Sequence, residues 1–149
     1  NTTNTPDAVG QYDYWQEFPA NATIAGGGVY VITQGSADAA IENFSNHTHT
    51  FLSNGDDGYA LVSGTEASYT VIDWLGDWNG DPGSGWAVAG ISNATQNNTL
   101  TRKSTVCGPN NDWTASAGTT AEDSEWIVGA NDSGWDTLGS YSGCVSNPG

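Results

Sequence analysis

Short apolar segments return every 10–15 residues or so along this chain, and Gly, Asn, Asp, Ser or Pro clusters stand between them. That interval is too short for crossover helices, so it predicts antiparallel strands joined by turns and not a parallel α/β sheet. The strand candidates are residues 29–33, the two arms of a hairpin within "NHTHTFLSNGDDGYALV" (46–62), and residues 68–78, 85–91, 98–106, 124–129 and 136–143. In 68–78, alternation puts Tyr69, Val71 and Asp73 on one face and Thr70, Ile72 and Trp74 on the other. One short helix is expected in "SADAAIENF" (36–44), with Ser36 as its N-cap. The prediction is an all-β chain, an antiparallel β-sandwich with one short helix, folding as a single domain over 17–149. Residues 1–16 precede it as an extended arm or edge strand in which Tyr12, Tyr14 and Trp15 crowd together.

Charge narrows the partners. Two basic residues stand against seventeen acidic ones, a net charge of −15. Nucleic acid needs a basic surface to release its counterions, so it is excluded as a partner. Anionic lipid is repelled, and no apolar run approaches spanning length, so membrane insertion is not expected. Divalent cations and high solubility suit such a chain. The start, Asn1-Thr2-Thr3, fits either a chain whose secretory leader has been removed or the interior of a longer product.

Two further features point to export and an extracellular or cell-surface location. Cys107 and Cys144 lack CxxC spacing and are expected to pair in an oxidising compartment, closing a loop worth roughly 3–4 kcal/mol; two buried free thiols are the alternative. Asn-x-Ser/Thr sequons stand at Asn1, Asn21, Asn43, Asn46, Asn93, Asn97 and Asn131, seven where composition alone gives about three. N-linked glycans are expected at several of them, although Asn-rich turn chemistry produces sequons too.

Five stretches, "IAGGGVYVITQGSADAAI", "HTHTFLSNGDDGYALV", "DWLGDWNGDPGSGWAVAG", "TLTRKSTV…NDWTASAGT" and "SEWIV…WDTLGS", occur in an order that resembles the lamin tail domain. The likeness is to the exported bacterial branch of that family and runs from about Tyr12 to Gly139. It implies an immunoglobulin-like or jelly-roll-type sandwich. The family's opening strand pair has no counterpart here: Glu17, Glu42, Glu66, Glu122 and Glu125 are the only glutamates, and none sits in its pattern. A sandwich without its first strands leaves backbone groups and an apolar slot uncovered. A strand from a neighbouring copy could fill the slot, making Tyr12, Tyr14 and Trp15 subunit-interface residues. Strands upstream of this sequence, or residues 1–16 folding back onto their own chain, are the alternatives.

No catalytic residues are predicted. Asp56 and Asp57 are neighbours on a tight turn and diverge, whereas paired carboxylates must face each other across a substrate; they read as turn caps. His47 and His49 share a strand face with Phe51, and the lamin-tail likeness favours a structural role over a metal pair. The candidate cation loop is "DWNGDPG", where Asp77, Asn79 and Asp81 offer oxygens at alternate positions and Asp73 could join them on calcium. Pro82 and Val88 stand where an EF-hand needs Gly and Glu, so that motif is excluded. The seven tryptophans are assigned mainly to packing, with carbohydrate stacking as the competing role. The leading reading is a secreted, glycosylated structural protein that polymerises with copies of itself and requires no cofactor. Its alternative is a non-catalytic carbohydrate- or surface-binding module of a larger exported enzyme.

Overall fold

The computed structural model describes residue 1 and residues 9–144. Residues 2–8 of the predicted arm lie outside the described residues. The regular elements are β1 (Ile32–Thr33), α1 (Ala39–Glu42), β2 (His47–Thr48), β3 (Tyr59–Thr65), β4 (Ser68–Leu75), β5 (Leu100–Arg102), α2 (Trp113–Ala117), β6 (Trp126–Val128) and a 3-10 turn at Trp135–Thr137. They form three two-stranded sheets: β1 with β2 in parallel, β3 with β4 and β5 with β6 antiparallel. The chain is thus β-rich with small sheets and short helices, and among the described residues no helix is long and apolar enough to cross a membrane.

Several expectations need correction. "NHTHTFLSNGDDGYALV" is not a hairpin: β2 pairs with β1, and β3 turns through Glu66 and Ala67 onto β4. The Asn-Gly signal is instead spent on docking the turn against another loop. Thr95 Oγ1 donates to the Gly55 carbonyl, and Gly55 has φ +119°, with the 95–96 backbone where a Cβ would stand. Asp38, not Ser36, caps α1, its carboxylate accepting from Ala40 N at 2.8 Å, while Ser36 is bonded to Gln34. Among the described residues there are two α-helices and not one. Asp112 caps α2 by accepting from Ala115 N at 3.0 Å, and Gly118 at φ 64° ends it. The 85–91 strand is absent; within it a tight turn puts Ala89 (φ 55°) and Gly90 (φ 78°) between the bridged Val88 and Ile91. The 136–143 strand is absent, and the 3-10 turn overlaps its start. In β4 a bulge opposite Leu61 and Val62 interrupts the predicted alternation. Tyr69 meets the aromatic arm, whereas Asp73 reaches Arg102.

The core gathers where α2 packs on the β5–β6 pair. Val88, Ala94, Trp113 and Ala117 are buried, with Trp74, Trp86, Leu100 and Trp126 packed around them. Trp113 and Ala117, four residues apart, turn one face of α2 inward. Beside this core the single arginine binds four elements together. The Arg102 guanidinium pairs with Asp73 on β4 and with Glu125 immediately before β6, 3.1 Å away, and donates to Ser116 Oγ on α2. Ser116 also donates to Glu125 Oε2 (2.8 Å) and accepts from Trp126 Nε1 (2.9 Å). Lys103 sends its ammonium to the carbonyls of Ala121 and Glu122. Cys107 and Cys144 form the disulfide, their Cα atoms 5.2 Å apart and 37 positions apart in sequence.

Candidate functional site

The aromatic arm folds back on its own chain. Gly10 N donates to the Trp78 carbonyl at 2.6 Å, and the Tyr12 ring lies 5.2 Å from Trp78 and 5.8 Å from Tyr69. Trp78 itself is buried, its Nε1 donating to Gly58 O at 3.1 Å. Tyr14 stacks on Phe51 with ring centroids 3.7 Å apart. Asn1 fastens the same place: its amino group donates to Tyr14 O, its Nδ2 to Phe51 O, and its Oδ1 meets His49 Nε2 at 2.8 Å. Among the described residues, side-chain contacts dominate this attachment. Among the described residues no backbone hydrogen bond joins the arm to β3.

A cavity of about 580 Å³ lies between the arm, the β1–β2 pair and β3. Tyr12, Tyr14, Trp15 and Phe18 form one wall; Ile32, His47 and His49 form another. The third wall is β3, from Tyr59 to Val62 and Gly64, a strand whose only ladder partner among the described residues is β4. The size is within the roughly 300–1,000 Å³ usual for ligand pockets, and the lining is mainly aromatic and aliphatic. Three buried polar atoms in these walls have no hydrogen-bond partner: Trp15 Nε1, His47 Nε2 and His49 Nδ1. Each such atom costs about 1–3 kcal/mol when left unpaired.

The same seat perturbs protonation. Burial pushes the His49 imidazole below its ordinary value, and the amino group of Asn1 and His47 add to the effect. Burial raises the Tyr59 hydroxyl, although Tyr59 bonds Ser53, accepting from its amide at 2.7 Å. Tyr12 is raised by burial and by Glu66.

The other predicted residues are dispersed. Asp77 Oδ1 accepts from Asn79 N (2.8 Å) and Asp81 Oδ1 from Gly83 N (2.7 Å), successive side-chain-capped turns. Asp73 is committed to Arg102. Among the described residues no group of three or more His, Cys, Asp or Glu side chains is disposed to hold a metal ion. Asp57 is buried, and its carbonyl accepts from Trp86 Nε1 at 3.0 Å. Of the sequon asparagines, Asn21, Asn43, Asn46, Asn93, Asn97 and Asn131 are exposed and Asn1 is half-buried. Asn21, Asn93 and Asn97 adopt φ of 66°, 54° and 60°, so turn geometry is reason enough for asparagine there. Asn46 Oδ1 accepts from Val31 N at 2.8 Å, which leaves its nitrogen available to a glycan.

Sequence reasoning did not find the cavity or the arginine cluster. A lone arginine in a chain of net charge −15 was the available signal for the cluster. No protein-family model matches this chain, and no curated protein or solved structure shows significant similarity to it.

Proposed function

We propose that this chain is an exported, glycosylated structural subunit, a lamin-tail-like β-sandwich that assembles with copies of itself by exchanging residues 1–16. The observation that carries the reading is the apolar surface around the arm's seat. Phe18, Ile32, Phe51 and Leu61 each keep 42–47 % of their surface exposed there, next to an edge of β3 that has no strand partner among the described residues. Clustered apolar exposure beside an open strand edge is what a second copy would cover. An arm whose described residues are held mainly by side-chain contacts can make the same contacts on a neighbour, and such head-to-tail exchange propagates unless it closes into a ring. The cystine and the exposed sequons suit an extracellular life.

The experiment is light scattering and negative-stain imaging of the purified chain across an ionic-strength series. Polymers are expected once salt screens the repulsion between subunits of charge −15, and they should vanish on deleting residues 1–16 or on Leu61→Asp. Monodisperse monomers at every ionic strength would sink the reading.

A further inference from the structure

We infer that the Asn79–Gly80 peptide is a self-modifying site, converting without an enzyme to isoaspartyl and aspartyl products, while the fold protects the same dipeptide at Asn54–Gly55. The inference is independent of assembly, because it needs only the folded chain and water.

The chemistry is intramolecular. The Gly80 amide nitrogen, having given its proton to solvent, attacks Asn79 Cγ. The N–Cγ bond forms, the Cγ–Nδ2 bond breaks, and Nδ2 leaves as ammonia, protonated by water. Water then opens the five-membered imide. Attack at the main-chain carbonyl leaves the chain running through Cγ as an isoaspartate, and attack at Cγ gives aspartate. Nothing is oxidised or reduced. A folded chain must supply an attacking amide that is not held in a hydrogen bond, an accessible carboxamide, and backbone freedom to bring the two together. Glycine suits the last requirement, since it has no Cβ to restrict the approach.

Only two Asn-Gly pairs occur in the chain, and Asp follows each, so local sequence treats them nearly alike. Their surroundings differ. Asn79 is exposed, and nothing lies within 4 Å of where a Cβ on Gly80 would stand. Among the described residues neither the Gly80 amide nor the Asn79 carboxamide makes a hydrogen bond. The Asn79 main-chain amide donates to Asp77 Oδ1 at 2.8 Å, which engages neither reacting atom. Asn54 is exposed too, so access to its carboxamide is not the difference. Its attacking amide is engaged, Gly55 N donating to Ser53 Oγ at 3.2 Å, and the Gly55 carbonyl accepts from Thr95 Oγ1. The backbone of residues 95–96 stands against Gly55, so turning that peptide towards Asn54 Cγ first requires undocking the turn. Neither asparagine begins a sequon, so no glycan shields either one. Each conversion adds one negative charge at the foot of the arm, where Gly10 N bonds the carbonyl of the preceding Trp78.

The test holds purified protein in mildly alkaline buffer for weeks and follows both sites by peptide mass spectrometry, with electron-transfer fragmentation to separate isoaspartate from aspartate. Thermal melts establish that the protein stays folded throughout. Asn79 is expected to convert at least about tenfold faster than Asn54, a barrier difference of about 1.4 kcal/mol, with isoaspartate among its products. Asn79→Gln should abolish the corresponding acidic species on isoelectric focusing. In guanidinium chloride, where the docked turn is gone, the two sites should react at similar rates. Equal rates in the folded protein, or an Asn79 that stays intact, overturn the inference. So does an unchanged preference for Asn79 in guanidinium chloride, which would assign the selectivity to sequence and not to the fold.

Discussion

The Arg102 guanidinium carbon lies 4.5 Å from the centroid of the Trp126 ring, and both side chains donate to the same oxygen, Ser116 Oγ. A cation over an indole face, two carboxylates around it and the Ser116 hydroxyl tie β4, β5, α2 and β6 together here.

Replacing that cation should be costly. Arg102→Met leaves Asp73 and Glu125, both largely shielded, facing each other without a counter-charge. Breaking a buried pair by removing one partner costs about 3–5 kcal/mol, and the partial exposure here places the expectation near the lower end. Urea unfolding followed by tryptophan fluorescence measures it. Arg102→Lys should rescue only in part, because an ammonium cannot bridge both carboxylates and keep the planar stack. A change under about 1 kcal/mol for Arg102→Met would show that the cluster is not a structural tie.

Reduction of the disulfide should lower stability without altering the β5–β6 pair. The bridge closes 37 residues of chain, worth about 4 kcal/mol of unfolded-state entropy. Tyr141, whose hydroxyl donates to the carbonyls of Lys103 and Val106, continues to hold the C-terminal segment against the loop after β5. Melting in dithiothreitol should therefore occur at lower temperature with the near-UV tryptophan signal intact below the transition; an unchanged midpoint contradicts this.

Acid should loosen the arm. The His49 imidazole titrates lower in the folded chain than in the unfolded one, so the folded state resists taking up its proton. The stability this residue contributes is complete above the ordinary imidazole value, near pH 6.5, and is lost as the pH falls from there towards the lowered folded value. Phe51 stacking and Trp15 environment, followed by near-UV circular dichroism between pH 7.5 and 5, should report the change. His49→Gln should flatten the profile; an equally steep profile in that variant assigns the effect elsewhere.

Gly55→Ala tests the docked turn. The substitution demands φ +119° from an L residue and drives a methyl group into the Thr95 backbone. A loss of about 2–3 kcal/mol is expected, against a few tenths for Gly26→Ala, where nothing lies within 4 Å. Equal effects at the two sites would mean that the turn yields freely.

β3 and β4 were legible as strands because seven or eight residues are enough to carry a period, but their pairing with each other was not. The helix that was missed, α2 with five residues, and the strands whose parallel pairing was not foreseen, β1 and β2 with two each, are shorter than any period they could display. Their positions follow from caps and from tertiary contacts such as Asn46 with Val31. "NHTHTFLSNGDDGYALV" misled for a related reason: Asn-Gly signals a tight turn, but not that its flanks will pair with each other. The arm's aromatic character was plain at Tyr12, Tyr14 and Trp15. Its seat was not, because the β3 face and His49 that complete it lie more than thirty positions away.

The two basic side chains of this molecule are both turned to internal use, Arg102 by carboxylates and Lys103 by backbone carbonyls. To anything approaching from solvent, the side-chain charge on offer is therefore of one sign. A surface displaying many copies would behave as a cation-exchange layer, holding mono- and divalent counterions at a concentration above that of the medium and turning away other polyanions.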